Sequence, residues 1–493
     1  MKKLTLMPVI ILLLVQSAIA GGIVTNTNQS AAWIRTLVRD ASTGIDAVYY
    51  NPAGLMKLDN GFHLSLNSQA IFQNKDVSNS FPYLSHNEFN GKVTAPVFPG
   101  IYAAYKMDKL AFSFGFNPIG GGGGAKFDRG LPSFEIPIAA LVPMLQGSLA
   151  PIDNAVLSAT GADPGFRNVS GYNANILFEG TSVYFGFQLG ASYKINDVIS
   201  IAVGGRYIMS KNTYNGYLKD IKINAPASYG GTQSPGNYLR TVAGAIGGYN
   251  PGGAAVLNGT AAVIDAKTAD VKVDAVQKGS GITPFIGVNI SPNEDLNIGL
   301  KYEMPTKIEL TNETVVDGTG MFPDKKVTRG DMPAMFSVGV DYQASTKLSI
   351  TSGLHYYFDK PAYYGKTAMV NNVAVQVNNE DLIDNNYWEI GLGLEYMLGE
   401  KLGVSAGYLR AQTGVNENYQ TDLSFSLSSN TVGGGIFYAL TEKMMLNLGV
   451  AYTKYEDGVK NYTYNLSQTV SVPYTNTFYK DNLLMAIGLD ISF

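Results

Sequence analysis

The chain has 493 residues, with 35 basic and 39 acidic side chains, a formal charge of −4 and charged residues at only 15% of positions. Hydrophobic residues make up 45%, which excludes a disordered chain, and the charge balance excludes a basic nucleic-acid binder. Cysteine is absent, so disulfides, thiolate metal sites and cysteine catalysis are excluded together; the excesses that call for an explanation are 55 glycines and 31 tyrosines.

At the N-terminus, Lys2 and Lys3 precede an uncharged, largely apolar run from Leu4 to Val15, followed by Ser17-Ala18-Ile19-Ala20. This pattern predicts a secretory signal peptide over residues 1–20, cleaved after Ala20; the apolar run is too short to span ~30 Å of hydrocarbon. Residues 21–60 show no alternation and read as a separate N-terminal segment, ending in Asp46-Ala47-Val48-Tyr49-Tyr50-Asn51-Pro52-Ala53-Gly54-Leu55. Taken alone, Asn51, Pro52, Ala53 and Gly54 are a turn signal.

From residue 61 to 493 the dominant period is two, that of a strand with unlike faces. Leu483, Met485, Ile487, Leu489, Ile491 and Phe493 share one face, while Ala486, Gly488, Asp490 and Ser492 share the other. Trp388, Ile390, Leu392, Leu394 and Tyr396 repeat the design opposite Glu389, Gly391, Gly393 and Glu395. A soluble sandwich would charge its second face richly; here that face is glycine, alanine, serine and isolated charges. Tyrosine and tryptophan sit near the stripe ends, as in lipid-facing strands with aromatic girdles.

Fourteen strands are predicted, near 61–75, 94–107, 109–118, 174–195, 197–212, 278–291, 294–312, 330–343, 346–359, 385–398, 401–413, 425–440, 443–456 and 480–493. Their joins alternate between six short turns and seven long connections, the count required when both barrel ends are periplasmic. The expected fold is all-β: a 14-stranded antiparallel transmembrane β-barrel over residues 61–493 with long outer loops.

Within that frame, Asn117-Pro118-Ile119 runs into Gly120, Gly121, Gly122, Gly123 and Gly124, which weaken ladder pairing or mark a flexible loop root. In the second outer connection, Phe134, Ile138, Leu141, Met144 and Leu145 concentrate apolar surface, as a binding groove or as a lid packed on the rim. Pro137, Pro143 and Pro151 there, and Gly247 to Gly253 in the next connection, favour loops with short helical turns. Alternation places Arg206 and Lys301 on lumen faces and leaves Lys211 undecided; each either meets a ligand carboxylate or pairs with an acid of the barrel. Gly403-Val404-Ser405-Ala406-Gly407 matches a nucleophile pattern but lies inside a strand with no following helix. His63, His86 and His355 have no metal-like spacing, so no enzyme activity, metal or cofactor is expected.

Asn51-Pro52-Ala53, placed after a signal peptide and just before a barrel, resembles the FadL/TodX family of outer-membrane transporters of long-chain fatty acids and other hydrophobic compounds. Met332-Pro333 at the eighth strand and the terminal Phe493 add to the resemblance. It implies an N-terminal hatch, here residues 21–60, plugging the lumen, and a third-strand kink at Pro118 and Gly120–Gly124 that opens the wall sideways. It further implies passive uptake of long-chain fatty acids or aromatic hydrocarbons in the bacterial outer membrane. The ligand would pass an outer apolar groove, an internal pocket and a lateral exit, with hatch movement around Gly21 to Asn26. In the family the capture groove is built largely by the third and fourth outer loops; here the second is long and apolar and the fourth is short. The expected partners are an apolar ligand, membrane lipid and, through Phe493, the barrel-assembly machinery, acting on a monomer. A general porin or a surface adhesin on a similar barrel is the alternative function.

Overall fold

The structure is a computed structural model describing residues 25–26, 30–364, 366–370 and 373–493. The expected signal peptide and Gly21 to Val24 lie outside the described residues. The alternating segments pair as fourteen antiparallel strands. They begin with β1 Gly61–Asn79, β2 Glu88–Met107, β3 Leu110–Phe127, β4 Tyr172–Lys194, β5 Ile199–Asn224 and β6 Val271–Ile290. β7 is Leu296–Glu303 continued by Glu309–Asp317, β8 is Val327–Arg329 continued by Ala334–Gln343, and β9 is Leu348–Phe358. β10 Trp388–Met397, β11 Leu402–Gln412 and β12 Ser429–Thr441 follow. β13 is Met444–Tyr455 continued by Gly458–Asn465, and β14 is Ser471–Ser492. Each strand pairs with its sequence neighbours, and β14 returns to β1 in a register running from His63 opposite Ser492 to Asn79 opposite Asn476. Closure leaves no edge strand, so the staves satisfy their backbone without water wherever their ladders are paired.

Every predicted strand is present, but several run further outward than their apolar stripes. β3 reaches Phe127 and β5 reaches Asn224, and β14 begins at Ser471. These extensions stay paired, as in Tyr214 opposite Ala275, while presenting polar residues outward. An apolar stripe records only the part of a strand that faces hydrocarbon.

The outward face is an apolar band: Leu189 is 65% exposed, Ile282 64% and Ile487 53%. Tyr105, Tyr193, Tyr342, Tyr396 and Tyr438 stand outward near the short turns and form a girdle. Phe493 packs on Phe62 with ring centres 5.5 Å apart and closes the seam.

Residues 30–58 fill the lumen. Helix α1 (Ala31–Thr36) is capped by Ser30, whose hydroxyl accepts from the Trp33 amide, and ends where Leu37 turns left-handed at φ 60°. Helix α2 (Ala47–Tyr50) and a 3-10 turn (Pro52–Lys57) follow, all but Lys57 of their residues being buried. The wall that receives this segment is made of directly paired glycines. Gly299, Gly339, Gly353 and Gly391 form one cross-strand row over β7 to β10. Gly393, Gly407 and Gly433 form a second over β10 to β12. A Cβ at Gly299 would overlap the Asp40 carbonyl, one at Gly407 the Thr36 carbonyl, and one at Gly433 would stand 2.6 Å from the Ile34 carbonyl. These two rows account for seven of the 55 glycines.

The second and third long connections fold into helices α3 (Pro132–Ala139), α4 (Leu141–Thr160), α5 (Pro235–Ile246) and α6 (Pro251–Lys267). The prolines did not reduce them to short turns. Pro132, Pro143, Pro235 and Pro251 occupy first turns, where an amide hydrogen has no helical partner to lose, while Pro137 and Pro151 lie inside α3 and α4, which continue through them. The stretch Pro132–Thr160 is long and apolar enough to cross a bilayer by composition, yet it packs Leu141, Leu145 and Leu149 into a common core with Tyr238, Val242 and Leu257.

Candidate functional site

The expected hatch motif is tied to the wall atom by atom. Asn51 Nδ2 donates to the Val288 carbonyl at 2.9 Å, and Asn51 Oδ1 accepts from the Ala53 amide at 3.3 Å. Ser192 Oγ donates to the Pro52 carbonyl at 2.7 Å, and Ser200 Oγ to the Ala53 carbonyl at 2.8 Å. A Cβ on Gly54 would overlap the Ser42 carbonyl, so only glycine closes that turn. Within the segment, Arg39 forks onto Asp46, with Nε to Oδ2 at 2.8 Å and Nη2 to Oδ1 at 2.9 Å, and Ser30 and Ser42 also donate to Asp46.

Two of the three proposed ligand cations are engaged elsewhere. Arg206, fully enclosed, donates through Nη1 and Nη2 to the two Glu303 oxygens at 2.9 and 2.8 Å and through Nε to Gln188 at 3.0 Å. Lys301 Nζ lies 2.6 Å from Glu303 Oε1 and donates to the Tyr49 carbonyl at 2.6 Å. Both cations face the Tyr49 ring, 4.9 and 5.6 Å from its centre. Lys301 anchors the plug through the Tyr49 carbonyl and Arg206 meets it at the Tyr49 ring, the two cations sharing the one carboxylate of Glu303. The third, Lys211, is exposed on the outward side of β5, because the inward set there is Arg206, Ile208, Ser210 and Asn212. The expectation of a ligand carboxylate at these three positions is corrected accordingly.

Further round the barrel, His355 places Nδ1 3.0 Å from Glu389 Oε2 and Nε2 2.5 Å from Asp40 Oδ1, joining β9, β10 and the plug. Arg35 pairs with Glu395 at 2.6 Å and also donates to Ser405, so the serine of the nucleophile-like pattern is part of a plug anchor. The outer groove candidates are also corrected. Ile138, Leu141 and Leu145 are buried in the helical core, and Phe134 and Met144 pack against it, so they build a cap over the rim and offer no open groove.

Above the plug lies a cavity of about 460 Å³. Trp33, Tyr387 and Glu389 line it from the plug and β10 side, Leu423 and Ser424 from the connection between β11 and β12, and Lys75 and Lys480 from β1 and β14. Its wall includes Val93, Ala95, Phe98, Gly121 and Ala125, where the barrel is weakest. The β2–β3 ladder pairs Val93 with Ala125 and Ile101 with Phe116, and among the described residues it holds no pair between them. Pro96, Pro99 and Pro118 remove amide donors there. On its other side β3 shifts register against β4 twice, between Pro118 and Gly120 and between Gly120 and Gly123. Gly121 has φ +86°, a conformation side chains resist. Asn117, Pro118, Ile119 and Gly120 are all buried in succession, so alternation collapses as β3 turns inward. The glycine run therefore stays within a strand, held by β4, rather than becoming a loop.

Sequence reasoning missed Glu303, His355 and Asp40 as anchors and Lys75 and Lys480 as cavity residues. Lys301 and Glu303 sit two apart on one strand face, a signal for pairing that was available.

No protein-family model matches the chain, and no curated protein sequence matches it either. Among solved structures, a Pseudomonas aeruginosa FadL homologue is similar over 96% of this chain and 100% of its own, at 12% identity with a TM-score of 0.59. The Pseudomonas putida toluene transporter TodX is similar over 96% of each chain, at 13% identity with a TM-score of 0.51. At such identities the likeness is one of fold: the chain is a FadL-like, fourteen-stranded barrel.

Proposed function

We propose that this FadL-like barrel sits in the bacterial outer membrane and passes hydrophobic compounds, long-chain fatty acids or aromatic hydrocarbons, passively from its lumen into the membrane. Each methylene moved into water costs about 0.8 kcal/mol, so a wet pore is a poor path for such molecules. A partly apolar cavity with a lateral door is a better one. The observation that carries the proposal is the continuity of the lumen cavity with the unpaired stretch between β2 and β3. Residues 21–60 act as the hatch, closing the periplasmic side; the anchors of Tyr49, Asn51, Pro52 and Ala53 to the wall speak against an open porin channel. Ligand entering beneath the helical cap would rest above Trp33, and hatch rearrangement would release it towards the gap. The fold neighbour TodX is a toluene transporter, which supports the apolar ligand class.

The native chain has no cysteine, so a staple can be placed cleanly. Ala95→Cys and Ala125→Cys both line the cavity at the gap. Bridging them with a reducible bifunctional thiol reagent should cut uptake of labelled oleate and toluene several-fold, with recovery on reduction. Full uptake through a completely bridged barrel would sink the lateral route.

A further inference from the structure

We propose that Asn212 and Tyr184 form a hydroxyl-recognition site in the lumen cavity, so that the cargo held best there is an apolar molecule carrying a neutral hydroxyl group, such as a phenol or a fatty alcohol. The proposal rests on the transport function above and names its substrate class.

Asn212, Gln277 and Asn312 are direct cross-strand partners on β5, β6 and β7, and all three are buried. Their side-chain amides form a ladder whose direction is set at one end. Asn312 Nδ2 donates to the Pro323 carbonyl at 3.0 Å, a partner that can only accept. Asn312 Oδ1 is therefore left to accept, and it does so from Gln277 Nε2 at 2.9 Å. Gln277 Oε1 in turn accepts from the Tyr214 hydroxyl at 3.3 Å and from Asn212 Nδ2 at 3.4 Å. Turning the Asn212 amide over would set oxygen against oxygen. The ladder thus ends on Asn212 Oδ1, a buried acceptor with no hydrogen-bond partner among the described residues. Leaving such an acceptor unanswered is costly, and Asn212 belongs to the inward set of β5 that lines the cavity.

Tyr184 supplies the complementary group. It pairs with Ser210 on the same inward face, one inward position from the Ser182–Asn212 pair, and so reaches Asn212 diagonally. Its hydroxyl oxygen faces the Asn212 amide, which sets the hydroxyl to donate its own proton, and Tyr184 lines the same cavity. Gly330 leaves room at this point: a Cβ there would stand 3.7 Å from the Tyr184 hydroxyl oxygen. The pair also sits where cargo would leave. β3 breaks register against β4 between Gly120, opposite Tyr184, and Gly123, opposite Ser182. A ligand hydroxyl, which both donates and accepts, answers both groups at once. A hydrocarbon answers neither, and a carboxylate sets a second acceptor against Asn212 Oδ1.

The test is equilibrium binding of para-cresol, para-methylanisole and toluene to the purified full chain in non-ionic detergent, each referred to its own partition into protein-free micelles. The three share a ring; the first offers a donor and an acceptor, the second an acceptor only, and the third neither. Wild-type protein should favour para-cresol over para-methylanisole by about tenfold, the scale of one buried hydrogen bond. Asn212→Leu should erase that advantage, and Tyr184→Phe should reduce the preference for para-cresol over toluene. Equal binding of para-cresol and para-methylanisole by wild type, or an undiminished advantage in Asn212→Leu, overturns the proposal. The wild-type comparison decides even where a variant fails to assemble. If all three probes bind alike, this inference alone falls; if none binds, the transport function falls with it.

Discussion

Glu303 stands between two cations in a water-poor lumen, and its removal should be felt more than its mere count of contacts suggests. Breaking a buried ion pair strands its partners, at a cost of about 3–5 kcal/mol. Glu303→Gln leaves Arg206 and Lys301 side by side without their shared carboxylate. We expect the temperature at which the barrel loses its compact gel migration to fall, and Glu303→Gln combined with Lys301→Met to recover part of the loss. An unchanged transition temperature would show that the trio does not anchor the plug. At this scale alternation told which charges face the lumen: Arg206 and Lys301 are inside, as read. It could not tell which were already answered, because Tyr49, Gln188 and Asp40 reach the site through the fold and not through spacing. Lys75 and Lys480 were invisible for another reason: they lie 405 positions apart and meet only where β14 closes on β1.

Among elements, the plug and its glycine seat are the most demanding fit. Gly407→Val puts a branched side chain where the Thr36 carbonyl lies, whereas Gly399, in a short turn, has nothing within 4 Å of an added Cβ. Cells carrying Gly407→Val should admit small hydrophilic antibiotics that wild type and Gly399→Val exclude, with the barrel still assembled. Equal exclusion by all three would mean that the wall does not position the plug. The glycines were legible as a face of small residues on alternating strands; their purpose was not, because residues 30–58 carry no period from which a path around the wall can be read. The helical cap was misjudged for a local reason. Proline count suggested breakage, but Pro132, Pro143, Pro235 and Pro251 sit in first turns, which permit helices, and α3 and α4 continue through Pro137 and Pro151 as well. β3 shows the converse: its glycines weaken one ladder, and the neighbouring β4 preserves the strand.

For the whole molecule, the alternation of short and long joins carried the architecture, and it survives in the structure as fourteen staves with a single closure. Strand lengths were less legible because the outer extensions leave hydrocarbon and lose the apolar stripe while keeping their hydrogen bonds. A plugged lumen, a cavity above the plug and a weak seam beside it belong to one account, lateral delivery of apolar molecules. The most direct measurement is uptake of labelled oleate, toluene and sucrose by cells of one strain with and without the chain. The account predicts faster entry of at least one hydrophobic probe, with sucrose entry unchanged. Entry of sucrose with no gain for oleate or toluene would contradict it.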